Sequence, residues 1–168
     1  MRASLRSLAF TVPILVSSLS AHAQTDVDKA AIRTIVQDEQ DAWNRGDAPA
    51  FAAHFARDGS FTNIVGMQTY GREPFLKQHA HIFATIYKGS HNELILGRVR
   101  FIRPDVAVAD VDSILSHFVS IIPGTPVGSD GAVHTRLQLV LSKENGSWQI
   151  DAFHNVVLNP AFASEPPS

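Results

Sequence analysis

The sequence predicts an α+β domain in which helices cover one face of a bent sheet. Two observations carry this. Apolar residues recur at helical spacing in three segments of the first half, and four Val-, Ile- and Leu-rich segments of the second half read as strands. Helices grouped early and antiparallel strands grouped late imply segregated layers. A length of 168 residues suits one well-buried core and is short for two.

Residues 1–23 read as a secretory signal. Arg2 and Arg6 supply the positive start, Leu8 to Leu19 a short apolar run, and Ala21-His22-Ala23 a small-x-small cleavage pattern. The run contains Pro13 and is shorter than the roughly 20 residues of a membrane span. Cleavage after Ala23 is therefore expected to leave an exported chain, periplasmic or secreted, without a membrane span. An uncleaved anchor and a start further downstream are the competing readings. Losing two arginines and no acid takes the net charge from −2 to −4. The domain then spans 24–160, and 161–168 is expected to form a flexible tail.

Within the domain, Ile32, Ile35, Val36 and Trp43 place one apolar stripe on a helix over 26–44. Gly46 ends it, and Asp47 caps a second helix with Pro49 in its first turn, running to about Arg57 with Phe51, Ala52 and Phe55 on one side. Asp58-Gly59 reads as a turn, Ser60–Val65 as a short strand and Gly66–Gly71 as a connection. Arg72–Tyr87 has helical spacing through Phe75, Ile82, Phe83 and Ile86. Strands follow at Glu93–Ile102 and Val106–Val119, separated by Pro104-Asp105. The stretch Ile121–Gly131, with three glycines and two prolines, must be a loop. Val133–Lys143 and Trp148–Leu158 form a hairpin around Asn145-Gly146. A sheet bent around helices leaves a hollow, and a functional site belongs there.

Several function classes drop out. Fourteen Lys and Arg against 16 Asp and Glu, with no basic cluster, disfavour a nucleic-acid partner. The absence of cysteine removes disulfides, thiolate nucleophiles, Cys-ligated zinc and iron–sulfur clusters. There is no GxGxxG, phosphate loop, GxSxG or HExxH, so no cofactor is expected. His79-x-His81 lacks the helical spacing that brings two rings to one metal, and no metal site is expected.

Trp43-Asn44-Arg45-Gly46-Asp47, Phe55-Ala56-Arg57-Asp58-Gly59-Ser60-Phe61 and Gly71-Arg72-Glu73 resemble the nuclear transport factor 2-like superfamily. Within it, Phe61-Thr62-Asn63-Ile64-Val65-Gly66, the stretch His79 to Thr85 and Phe153-His154-Asn155 resemble the SgcJ/EcaC group, near the SnoaL-like polyketide cyclases and ketosteroid isomerases. The resemblance covers about residues 26–160. It implies a cone-shaped barrel, a curved and mostly antiparallel sheet wrapped around three N-terminal helices, with a pocket inside the cone. It also implies pairing through the outer face of the sheet, and the long strands, apolar on both faces from Val106 to Leu115, agree with a homodimer.

Polar residues on apolar faces are the candidates for a site. Glu39 falls on the stripe of the first helix, either as a pocket carboxylate or at an edge that reaches water. His79 lies four residues from Phe75, as a core or a pocket-lining histidine. Asn63 shares a strand face with Phe61 and Val65, near the place where the resemblance puts the carboxylate base of ketosteroid isomerases. Asparagine cannot accept that proton, but it can hydrogen-bond a developing oxyanion. His154 shares a face with Trp148, Ile150 and Ala152 and would enter the cone as a base, unless it merely bonds backbone. Trp43, Phe61 and Phe83 would close the pocket around them, and Arg136 would pair with Asp110 or Asp112 across the sheet.

Two functions remain open on the sequence. One is cofactor-free proton transfer on a small apolar carbonyl compound, of the isomerase, dehydratase or cyclase kind, with His154 and Asn63 as the catalytic pair. The other is a non-catalytic module that binds a hydrophobic small molecule or assembles.

Overall fold

A computed structural model describes residues 16–159, with side chains from residue 24 onward. The signal segment therefore lies outside the described residues except for the helical backbone of 16–23, and so does the tail at 161–168. The order is α1 (Val16–Arg45), α2 (Ala48–Phe51), β1 (Phe55–Thr62), β2 (Gln68–Tyr70), α3 (Arg72–Ala84), β3 (His91–Arg103), β4 (Val106–Ser116), β5 (Val133–Glu144) and β6 (Ser147–Val157). The six strands form one open, curved sheet in the order β2-β1-β6-β5-β4-β3. Every pairing is antiparallel except β1 with β6. Among the described residues no helix is long and apolar enough to cross a membrane.

The α1 stripe is Asp28, Ile32, Ile35, Val36, Glu39 and Ala42, all buried. On its flank, Gln40 and Asn44 serve the edge strand β3. The Asn44 side chain accepts from Asn92 N–H (2.8 Å) and donates to Asn92 C=O (3.1 Å), while Gln40 Oε1 accepts from Leu94 N–H (2.7 Å). These side chains stand in for a neighbouring strand and blunt the edge. Gly46 then turns the chain at φ 67°, and the Asp47 side chain caps α2 through Ala50 N–H (3.0 Å).

Two expectations need correction here. The second helix stops at Phe51 rather than near Arg57, and the next strand starts at Phe55 rather than Ser60. The reason is the Phe55 ring. It stacks on Phe75 at 4.2 Å and 2°, a placement that requires extended backbone against Ile150 of β6. The pairing then bulges between Phe55 and Ser60, and a Cβ on Gly59 would lie 2.9 Å from the Phe55 ring and 3.1 Å from Ile150 O. Asp58-Gly59 is thus a bulge inside a strand, not a turn between elements. The supposed connection at 66–71 contains β2, too short for periodicity to reveal. The first helix begins at Val16 rather than at 26, continuous through the expected cleavage position, while the other elements agree with the sequence reading to within a few residues; β4 ends at Ser116, just before His117 at φ 57°.

Far from the open end of the sheet, Asp28 ties α1 to the β5–β6 hairpin. Its Oδ1 accepts from Lys143 Nζ (2.6 Å) and Trp148 Nε1 (2.9 Å), and its Oδ2 from Gln24 Nε2 (3.1 Å). Burial pushes its pKa up, but the hydrogen bonds, that of Lys143 foremost, outweigh this and hold it below the ordinary value. Replacing Asp28 by Ala leaves a buried indole N–H unpaired and should cost about 2 kcal/mol in urea unfolding, with Asp28→Asn losing less. Equal stability of wild type and Asp28→Ala would show that the clasp is idle.

Candidate active site

The concave face of the sheet and the three helices enclose a cavity of about 90 Å³. One side is aromatic, with Trp43 from α1, Phe51 from α2, Phe61 from β1, His79 from α3 and Phe153 from β6. These rings hold one another edge-on or tilted, among them Phe61 to Phe153 at 5.4 Å and Phe51 to His79 at 4.7 Å. Phe83 does not line the cavity. It supports the wall from behind, 4.9 Å from the Trp43 ring.

Polar side chains are set among aliphatic ones, Leu94, Leu115, Val133 and Leu137, on the strands. Asn92 of β3, Ser113 of β4, Thr135 of β5 and Asn155 of β6 all line the cavity, and Gln78 faces it from α3. Ser113 lies directly across from Thr135, and Leu137, two residues along β5, lies across from Asn155. Ser113 Oγ donates to Asn92 Oδ1 at 2.7 Å. Thr135 Oγ1, Asn155 Oδ1 and Gln78 Oε1 are buried without a hydrogen-bond partner.

No family model matches the chain, and no curated protein matches it. Solved structures do. A protein with a cystatin-like fold from Caulobacter vibrioides is 32% identical over 79% of this chain and 91% of its own length, with a TM-score of 0.68. A nuclear transport factor 2-like protein with a cystatin-like fold from Novosphingobium aromaticivorans is 18% identical over 86% of this chain and 91% of its own, at 0.65. The chain belongs to the nuclear transport factor 2-like superfamily. A ketosteroid isomerase-like protein from Erwinia carotovora atroseptica shares the superfamily fold at 20% identity, over 78% of this chain and 96% of its own, at 0.60.

Against this superfamily frame the candidates of the sequence separate. Trp43, Phe61, Asn63 and His79 meet at the cavity. His154 does not: it is exposed on the outer face, paired with Gln138. The cause is a bulge in β6. Ile150 pairs with Leu141 but Ala152 pairs with Val140, so Asp151 is an extra residue that inverts the alternation. Trp148 and Ile150 point inward, and beyond the bulge Phe153 and Asn155 take their place. Asn63 reaches the cavity with its oxygen already committed, since Oδ1 accepts from Val65 N–H (3.1 Å) and Met67 N–H (2.9 Å) in the turn after β1. Only its amide nitrogen remains as a donor. Among the described residues no group of three or more His, Asp or Glu is placed to hold a metal.

Glu39 and His79 are the buried carboxyl and imidazole of this region, 2% and 3% exposed. Glu39 reaches neither water nor the cavity lining. Its Oε1 has no partner, and burial pushes its pKa up to about 8. Burial pushes His79 down to about 4, although the Phe75 carbonyl favours the charged ring. That carbonyl, 2.8 Å from Nδ1, can only accept, so Nδ1 carries the proton and Nε2 a lone pair. At neutral pH both groups are uncharged.

The two shifts oppose each other in stability. Glu39 has a raised folded pKa, so its contribution is complete below about 4.5 and is lost as pH rises towards 8. His79 has a lowered one, so its contribution is complete above about 6.5 and is lost as pH falls towards 4. Between 4.5 and 6.5 folding leaves the proton count of the pair unchanged and stability is level. From pH 6.5 to 8 the wild type should lose about 2 kcal/mol, and Glu39→Gln should abolish that loss. Parallel unfolding curves for the two proteins across this range would refute the assignment.

Proposed function

We propose that the chain is an exported small-molecule-pocket protein of the SgcJ/EcaC type, whose cavity takes a small, largely apolar carbonyl compound. The observation that carries this reading is the cavity lining, which among the described residues is mostly aromatic and aliphatic, carries a few uncharged polar side chains and holds no group charged at neutral pH. Such a lining favours an uncharged guest and penalises an ion. Its small volume means that a larger guest enters only by its head or by displacing the walls. The test is native mass spectrometry of the protein recovered from its own compartment. A chain beginning at Gln24 with a small organic molecule attached is expected, and the adduct should vanish in Leu137→Phe, which fills part of the cavity. An adduct that survives this substitution sits elsewhere.

A second reading, catalysis, is favoured by one feature: the fixed tautomer of His79, which presents Nε2 as the base of the cavity. In this reading Nε2 takes a proton from the carbonyl compound while the Asn63 amide nitrogen bonds the developing oxyanion, an isomerase-, dehydratase- or cyclase-like step. The ketosteroid isomerase-like neighbour supports it through the shared fold alone. His154, exposed on the outer face, takes no part. With a substrate in hand, His79→Gln should reduce turnover by about a hundred-fold or more while binding persists.

The outer face of the sheet is the proposed homodimer surface. Val108, Val140 and Ala152 form one row across it, and Asp112, Arg136 and Val156 another, with Arg136 Nε 2.7 Å from Asp112 Oδ1. Light scattering should give the mass of two chains at micromolar concentration, and Val140→Glu should return it to one. A single-chain mass for the wild type would remove the dimer.

A further inference from the structure

Thr135, Asn155 and Gln78 place three unpartnered buried polar atoms around one small cavity, two on neighbouring strands and one on the helix opposite. Nearly all buried polar groups in folded proteins are hydrogen-bonded, and leaving one unpaired costs about 1–3 kcal/mol. Three such atoms facing one hollow are expensive for the chain alone, and a guest that bonds them recovers the cost. The other buried orphans, Glu39 Oε1 and Thr69 Oγ1, belong to residues outside the lining.

The chemistry of the three atoms defines the guest. Asn155 Oδ1 and Gln78 Oε1 are acceptors and call for donors on the guest. Thr135 Oγ1 can donate or accept. Ser113, the neighbour of Thr135 across the strands, already spends its proton on Asn92 and adds no competing donor. Among the described residues no lysine, arginine, aspartate or glutamate lines the cavity, so a charged guest would be stripped of water without a counter-charge. The aromatic rings of Trp43, Phe51, Phe61 and Phe153 favour the carbon skeleton of the guest.

Building on the pocket reading above, we infer that the guest is an uncharged molecule bearing at least two hydroxyl groups, or a hydroxyl beside a carbonyl, whose polar edge is read by Thr135, Asn155 and Gln78. The two hydroxyls of a diol donate to both amide oxygens, the one hydroxyl of a hydroxyketone donates to that of Asn155, and Thr135 donates to the carbonyl or to a hydroxyl oxygen. The polar row across the sheet is then a recognition element for oxygen substituents, and not a leftover of strand alternation.

Four probes of matched size test this by chemical-shift titration of the full mature chain: hydroxyacetone, propane-1,2-diol, butanone and glycolate. The first two should bind, butanone about ten-fold more weakly and glycolate not at all. Asn155→Leu should erase the advantage of hydroxyacetone over butanone, whereas Thr135→Val should weaken both ketones alike and Thr135→Ser should leave both unchanged. Thermal unfolding of each variant shows whether the fold is kept, and the conservative serine covers the case in which valine disturbs it. Butanone binding as tightly as hydroxyacetone overturns the hydroxyl inference and leaves the pocket reading standing. Glycolate binding as tightly overturns the uncharged guest. If none of the four moves a cavity resonance, both this inference and the pocket reading fall.

Discussion

Everything around the cavity is arranged about the ring of Phe75. It is fully buried, and other rings meet it from four elements: Phe55 and Phe61 of β1, Phe51 of α2, Phe153 of β6 and His79 of its own helix. Two of these contacts are parallel stacks and the others are tilted or edge-on, the mixture that ring quadrupoles prefer. Such pairs each contribute about 0.5–1.5 kcal/mol beyond area burial, so the cluster can dictate backbone choices nearby. It explains why the chain leaves helix after Phe51, why β1 opens at Phe55, and why position 59 lacks a side chain. The carbonyl of Phe75 also fixes the proton of His79 on Nδ1. One residue thus sets both the packing and the chemistry of the aromatic wall.

Charge is segregated around this neutral interior. The outer face carries Asp112 with Arg136, Gln138 bonded to Asp110, and His134 with Asp130. The remote end carries the Asp28 clasp with Lys143 and Trp148. Between them, Glu39 and His79 are held uncharged by burial, without ion partners. An ion pair in the interior would have had to offset its own desolvation. The fold instead keeps two titratable groups neutral, and stability becomes sensitive to pH on both sides of a level window.

Much of this was legible because the apolar periods are regular. The stripe from Ile32 to Trp43 located the buried side of α1, Glu39 included, and the four-residue step from Phe75 located His79. Strand alternation likewise narrowed the partner of Arg136 to Asp110 or Asp112, and the β4–β5 register selects Asp112. His154 was misplaced because a bulge is a local insertion that leaves no mark in a two-residue period, and the inversion carried Asn155 inward in its stead. Ser113 and Thr135 had a readable signal: Val111 and Leu115 flank the one, Val133 and Leu137 the other, on faces buried throughout. The same argument that singled out Asn63 applies to both. Gln78 had none, since half-burial beside an inward histidine depends on how far the helix is rotated.

The inversion in β6 also bears on what chemistry the cavity can support. With His154 inward the cone would hold two imidazoles, one of them free to carry charge. With Asn155 inward, His79 is the only imidazole among the described lining residues, and the proton it could take would sit on a ring whose pKa is about 4. A base this weak abstracts a proton usefully only where donors stabilise the charge that develops on the guest, because each pKa unit of mismatch costs about 1.4 kcal/mol. The donors on the lining include the amide nitrogens of Asn63, Gln78, Asn92 and Asn155, the Thr135 hydroxyl and the buried Tyr87 hydroxyl, whose pKa burial pushes up. All are neutral, and the oxygen of Asn63 is already engaged by its turn. The cavity is therefore better built to recognise oxygen substituents than to stabilise a full negative charge. Any catalysis it performs belongs with reactions in which proton gain and loss are concerted and little charge accumulates.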